Sequence, residues 1–134
     1  MRVFFDTNVL FSAFATEGVC FKLLYRCMAN HTVCISPYVI KELKTKLHQK
    51  IGQSAEEFTI IEGLLNRKCL IVKDGKAETK ISRDPKDDPI LEAAHAAQAD
   101  CILTGDKDLL VLGSFQNIPI LQPNLFERFE RQQH

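Results

Sequence analysis

With 134 residues, 46% of them apolar and 25% charged, the chain has the composition of one ordinary globular domain with a real hydrophobic core. Lysine plus arginine equals aspartate plus glutamate at 17 each, so overall charge makes no case for a nucleic-acid partner, which would need a local basic surface. The longest apolar runs fall far short of the ~20 residues that span a bilayer. The N-terminus enters a strand-like run without a charged leader or cleavage site, so a cytoplasmic protein is expected. Five cysteines, Cys20, Cys27, Cys34, Cys69 and Cys101, are odd in number and lack any CxxC, which argues against a disulfide framework or a zinc site. They read as small buried hydrophobes.

In chain order, Val3 to Phe5 is an unbroken apolar run that stops abruptly at Asp6-Thr7-Asn8. A short apolar run rich in β-branched and aromatic residues reads as a strand buried on both faces. Asp6 then stands at the carboxyl end of a central strand, where open α/β sheets bind their ligands. A helical segment from Val9 to about Phe14 follows, then a longer amphipathic helix with Val19, Phe21, Leu23, Leu24, Cys27 and Met28. Thr32 to Ile35 is a second strand. Ser36-Pro37 is a helix-start signature, serine capping and proline taking the first helical position. The helix after it carries Val39, Ile40, Leu43 and Leu47 on one face, with Lys41, Lys44, Lys46 and Lys50 on the other and Glu42 among them.

Ser54-Ala55-Glu56-Glu57 opens a further helix through a capping box, and Cys69 to Val72 is the third strand. Lys73 to Asp87 reads as one long polar loop with a short extended piece near Ile81; long loops within compact domains are often functional. Asp87-Asp88-Pro89 opens a helix that turns Ile90, Leu91, Ala93, Ala94 and Ala97 inward. Cys101 to Leu103 is a fourth strand ending in Thr104-Gly105-Asp106-Lys107-Asp108. A short helix over Leu109 to Leu112, a fifth strand over Ile118 to Leu121 and a last helix from Pro123 complete the pattern. Residues 1–130 form one expected domain, and 131–134 a polar tail. Strands alternating with helices imply a five-stranded parallel sheet with helices on both faces and all carboxyl ends on one edge.

That edge collects acid. Asp6 follows strand one, Asp106 follows strand four, Glu42 sits two turns into the helix after strand two, and Asp88 opens the helix feeding strand four. Clustered carboxylates raise one another's pKa and persist most easily around a cation. Oxygen donors without histidine or thiolate select Mg²⁺ or Mn²⁺, whose chemistry is assisted phosphoryl hydrolysis by a water of lowered pKa. Asn8 and Thr104 are placed to orient ligands or waters. Each acid also has a plainer role: Asp6 as a helix cap, Glu42 as an i,i+4 partner of Lys46, Asp88 as an N-cap, Asp106 as a turn residue. Asp108 reads as the cap of the next helix. His31, His48, His95 and His134 lack metal-like spacing and read as surface or partly buried.

Taken together, Val3-Phe4-Phe5-Asp6-Thr7-Asn8-Val9-Leu10, the Glu42 segment from Ser36 to Leu43, the stretch Asp84 to Leu91 and the stretch Ala99 to Leu110 resemble the signature segments of PIN-domain ribonucleases. The resemblance runs from Arg2 to about Phe126 and is nearest to the prokaryotic, VapC-like toxin subgroup of toxin–antitoxin pairs. It implies a three-layer α/β/α sandwich and Mg²⁺- or Mn²⁺-dependent RNA cleavage. It further implies metal ligation by Asp6, Glu42, Asp88 and Asp106, homodimers, and an antitoxin that blocks the site. Two residues, Asp87 and Asp88, compete for the third acidic position; Asp88 aligns Leu91 and Ala93 with the family's apolar helix positions. Phosphate neutralisation would fall to Lys41, Lys44 and Lys46, with Arg83, Lys86 and Lys107. Two rivals are a catalytically inactive PIN-like RNA-binding or scaffold module and another Mg²⁺-dependent α/β phosphohydrolase. A phosphoaspartate enzyme usually needs a second aspartate two residues after the first, where this chain has Asn8.

Overall fold

The apolar runs become strands. The computed structural model describes residues 1–73 and 88–133; the expected loop piece near Ile81, Asp87, Arg83, Lys86 and His134 lie outside them. Strand β1 (Arg2–Phe5) places Val3, Phe4 and Phe5 wholly out of solvent. It pairs in parallel with β2 (Thr32–Ile35) on one side and β4 (Cys101–Leu103) on the other. Beyond β2 lies β3 (Cys69–Ile71), and beyond β4 lies β6 (Ile118–Leu121), both again parallel. The order is β3-β2-β1-β4-β6-β5, a mostly parallel sheet flanked by helices.

Among the described residues the sheet has six strands, not the five expected. The extra one, β5 (Ser114–Phe115), is antiparallel to β6 and sits at the edge. Two residues are too few to carry a period. The reversal between β5 and β6 is made by Gln116 and Asn117, both with positive φ (50° and 66°). That is the backbone of a two-residue primed hairpin turn, usually announced by a glycine that this chain lacks there.

The helices are α1 (Thr7–Ala15), α2 (Val19–Asn30), α3 (Pro37–Ile51), α4 (Ala55–Lys68), α5 (Asp88–Ala96), α6 (Lys107–Leu110) and α7 (Phe126–Gln132). Their starts follow from local chemistry. Ser36 caps α3 by accepting from the Val39 amide at 3.3 Å, with Pro37 in the first turn. Ser54 and Glu57 cap α4 reciprocally. Gly52 ends α3 in the left-handed region (φ 69°), where its amide reaches the His48 carbonyl at 3.0 Å. Val39, Leu43 and Leu47 of α3 are fully buried, while Lys41, Lys44 and Lys50 face solvent. On α5, Ile90, Leu91, Ala93 and Ala94 are buried, as is Ala97 just past its end.

All five cysteines are free, three of them buried. Burial pushes the Cys34 thiol up to about 11 and Cys27 up to about 12, which leaves no reactive thiolate at neutral pH. The last helix, α7, continues to Gln132. It is anchored by Glu130, which is buried and accepts from Arg26 of α2 and pairs with His31. The other ring nitrogen of His31 lies 3.2 Å from the Met1 amine. The His31 hydrogen bond, aided by Arg26, holds the Glu130 carboxyl below the usual carboxylate range. His48 lies 3.0 Å from the Gln53 carbonyl, and His95 packs edge-on to Phe115. Among the described residues, no helix is long and apolar enough to cross a membrane.

Phe5 is the last residue of β1 before Asp6 and is wholly buried. Truncating a buried phenylalanine to alanine removes transfer free energy and leaves a cavity, about 3–5 kcal/mol together. Phe5→Ala is therefore expected to lower the urea midpoint by that equivalent, with an unchanged denaturant slope.

Candidate active site

The strand order reverses direction at β1: β2 and β3 extend the sheet one way, β4 and β6 the other. The carboxyl ends of β1 and β4 therefore flank a topological switch point, the crevice in which open α/β sheets bind ligands. The ladder continues one residue past each strand. The Asp6 amide donates to the Leu103 carbonyl at 3.0 Å, and the Thr104 amide donates to the Leu121 carbonyl at 3.0 Å. Asp6 and Thr104 are thus fixed as rigidly as strand residues while standing at the edge.

Asp6 is only 2% exposed. It caps α1, as its plainer role required: its Oδ1 accepts from the Thr7 amide at 2.6 Å. Its other oxygen, Oδ2, accepts from Thr104 Oγ1 at 2.6 Å, across from β4. A cap alone needs one oxygen; this carboxylate uses both. Thr104 Oγ1 in turn accepts from the Asp106 amide at 3.0 Å, so a single hydroxyl couples Asp6 to the start of the Asp106 turn.

Glu42 comes to the same edge from α3. Its Oε1 accepts from Thr7 Oγ1 at 2.8 Å and its Oε2 from the Tyr38 hydroxyl at 3.2 Å, one turn earlier on the helix. Lys46 does not serve as the i,i+4 partner envisaged for Glu42; its ammonium donates to Asn8 Oδ1 on α1. Asp106 caps α6, its Oδ1 accepting from the Asp108 amide at 2.8 Å. This corrects the expectation that Asp108 is the cap: Asp108 lies in the first turn, two residues past the cap position. Asp88 is the first residue of α5, and its side chain lies outside the described part.

The structure thus gathers Asp6, Glu42, Asp106 and Thr104, with Asn8 beside them on α1. The sequence reading missed Thr7, which is 1% exposed and joins two carboxylates, its amide to Asp6 and its hydroxyl to Glu42. Its only sequence signal was its place inside the abrupt polar break after a buried strand. Burial is the main reason that the Asp6 carboxyl is pushed up to about 6. Hydrogen bonds from Thr104 and Thr7 oppose the rise, and the charges of Asp106 and Glu42 add to it.

A hard divalent cation is the group such a set of acids implies. Among the described residues, no three histidine, cysteine, aspartate or glutamate side chains form a closed metal-holding group. The donor chemistry nevertheless fits: oxygen donors only, on three separate elements, around a carboxyl whose ionisation is disfavoured by burial and, to a lesser degree, by the charges of Asp106 and Glu42.

A sequence profile of the PIN domain matches residues 2–108. The chain belongs to the PIN domain family. No curated protein sequence matches it significantly. Among solved structures it is similar to the VapBC2 complex of Rickettsia felis bound to a DNA fragment from its promoter. That match has a TM-score of 0.66 at 16% identity and covers 91% of this chain and 98% of the other. It is also similar to VapC20 of Mycobacterium tuberculosis, a toxin that cleaves the sarcin-ricin loop, with a TM-score of 0.60, 15% identity and coverages of 87% and 98%. The PIN domain endonuclease Utp24 matches with a TM-score of 0.56, 22% identity and coverages of 90% and 84%. These likenesses establish the shared fold.

The raised Asp6 pKa has a stability consequence. The folded state holds the Asp6 proton more tightly than the unfolded chain, so ionising it costs stability as pH rises from about 4 through about 6. In chelator, the stability of Asp6→Asn relative to the wild type is expected to rise by on the order of 2–3 kcal/mol between about pH 4 and 7. Urea unfolding at the two pH values measures it; a pH-independent difference would contradict the burial account.

Proposed function

We propose that this PIN-domain chain is a divalent-metal-dependent endoribonuclease with Asp6, Glu42, Asp88 and Asp106 as the metal-binding acids. The observation that carries this reading is Asp6: a carboxylate buried at the switch point, bonded through both oxygens, with Glu42 and Asp106 close enough for their charges to raise its pKa. A buried acid fixed in such company gains nothing for stability and suits a cation-dependent hydrolase.

A bound Mg²⁺ or Mn²⁺ supplies charge neutralisation at the scissile phosphate and lowers the pKa of water. The protein's own part is orientation. Thr104 and Thr7 fix both oxygens of Asp6, and Thr7 with Tyr38 fixes both oxygens of Glu42. Supporting hydrogen bonds of this kind commonly matter 10–100-fold in metal sites. Lys46 holds Asn8 at the rim, and Thr104 ties the Asp106 backbone to Asp6. With its carboxyl near 6, Asp6 is ionised at neutral pH.

The similarity in fold to VapC toxins across nearly the whole of both chains supports a role as the toxin of a toxin–antitoxin pair. In this reading the chain acts on RNA in the cytoplasm as a homodimer, restrained by an antitoxin.

Purified protein is expected to cleave RNA with Mg²⁺ or Mn²⁺ and to stop on chelation. Asp6→Asn is expected to lose on the order of 100-fold or more, and Thr104→Val about 10–100-fold. Both are assayed beside a fold control by circular dichroism. Cleavage that survives unchanged in Asp6→Asn would overturn the assignment; metal binding without cleavage of any RNA would favour a binding module.

A further inference from the structure

Two contacts join α1 to α3 at the acidic edge, and they differ in kind. Thr7 donates its hydroxyl to Glu42 Oε1 at 2.8 Å. One residue further along α1, Asn8 Oδ1 accepts from the Lys46 ammonium. Lys46 stands one turn beyond Glu42 on α3, roughly 6 Å along the axis, where an acid and a lysine ordinarily pair. Here both oxygens of Glu42 are engaged by hydroxyls, and Lys46 is drawn across to a neutral amide. Among the described residues no carboxylate pairs with it. Glu42 and Lys46 line the same cleft, of about 360 Å³.

An ammonium carries donors only, so its partner must offer an acceptor. The Lys46 contact therefore sets the flip of the Asn8 amide, oxygen toward the lysine and –NH₂ away from it. Asn8 is exposed, and among the described residues its amide nitrogen has no acceptor. The pair thus presents ammonium and amide hydrogens together, all donors. Donation from a cation to the amide oxygen also polarises the amide and strengthens its N–H groups. A donor-only pair at the rim of an acidic edge repels a metal ion and suits an oxyanion. For a chain that acts on RNA, that oxyanion is a backbone phosphate, which lysine binds as a point charge and an amide binds by hydrogen bonds.

We infer that Asn8 and Lys46 form a fork for one backbone phosphate of the substrate, beside the acids but separate from them. This rests on the reading of the chain as an RNA-cleaving enzyme and names two residues that seat its substrate. Lys46 acts twice, on the phosphate by its charge and on Asn8 by fixing the amide. The rival role for the pair is a tie that only packs α1 against α3.

Fluorescence anisotropy of a short labelled oligoribonucleotide separates the two roles, with the full chain in chelator so that nothing is cut. Lys46→Gln is expected to weaken binding on the order of tenfold at low salt and to lower its salt dependence by roughly one phosphate contact. Asn8→Asp keeps the tie as an ion pair with Lys46 but removes the amide hydrogens and cancels the charge. It should weaken binding to a similar degree, whereas a mere tie leaves binding unchanged. Lys68→Gln removes the same charge at the end of α4, just before β3 and so at the opposite edge of the sheet; it should stay within about twofold. Thermal unfolding of each variant separates lost binding from lost fold. Folded Lys46→Gln and Asn8→Asp proteins that bind like the wild type would overturn the fork, as would an equal loss in Lys68→Gln or a wild type that binds no RNA. Metal-dependent cleavage by the wild type, with binding unaffected in both variants, leaves the nuclease standing without the fork. Fork-dependent binding with no metal-dependent cleavage leaves the fork standing on a non-catalytic protein.

Discussion

Burial of a single carboxylate at the end of the central strand is the constraint on which the rest of the site depends. Asp6 is nearly inaccessible, and an ionised carboxylate in that position is tolerable only with its lone pairs engaged. The fold meets this with two donors from different elements, the first amide of α1 and a hydroxyl from the end of β4. Because β1 and β4 are neighbours in the sheet, the pairing of Phe5 with Leu103 brings Asp6 and Thr104 side by side. Sheet register therefore sets the site's geometry before any loop contributes.

From that anchor the network spreads through threonines. Thr7 and Thr104 each touch Asp6 and pass the connection on, one to Glu42 on α3 and the other to the Asp106 turn. Among the described residues, three acids on three elements are thereby held by hydroxyl and amide donors, not by lysine or arginine. Neutral donors fix orientation while leaving the negative charge uncompensated. That residual charge favours a hard cation and adds to the rise of the Asp6 pKa, which burial causes in the main.

Much of this was legible in the sequence, for identifiable reasons. The runs at residues 3–5, 33–35 and 101–103 are unbroken and apolar, and buried parallel strands require such runs. Ser36-Pro37 and Ser54–Glu57 announced their helices because caps are local hydrogen-bond chemistry. What escaped was non-local or unusually encoded. Strand β5 is two residues long and turns through Gln116-Asn117, with no glycine to mark it. The i,i+4 rule paired Lys46 with Glu42, whereas tertiary packing of α3 against α1 gave it Asn8 instead. Capping by Asp106 in place of Asp108 turned on where the helix began, at Lys107 and not at Leu109, a matter of two residues. Thr7 carried no pattern of its own; only the approach of α3 to α1 reveals what its hydroxyl does.

The central claim is that Asp6 anchors a divalent cation, and its most direct test is calorimetric titration of Mn²⁺ into the wild type and Asp6→Asn near pH 7 and near pH 5.5. The account predicts saturable binding to the wild type that is lost in the folded variant. It also predicts proton release on binding at the lower pH, where an Asp6 carboxyl near 6 is still largely protonated. Equal Mn²⁺ binding by wild type and Asp6→Asn would contradict it, and would make the buried aspartate a structural cap and nothing more.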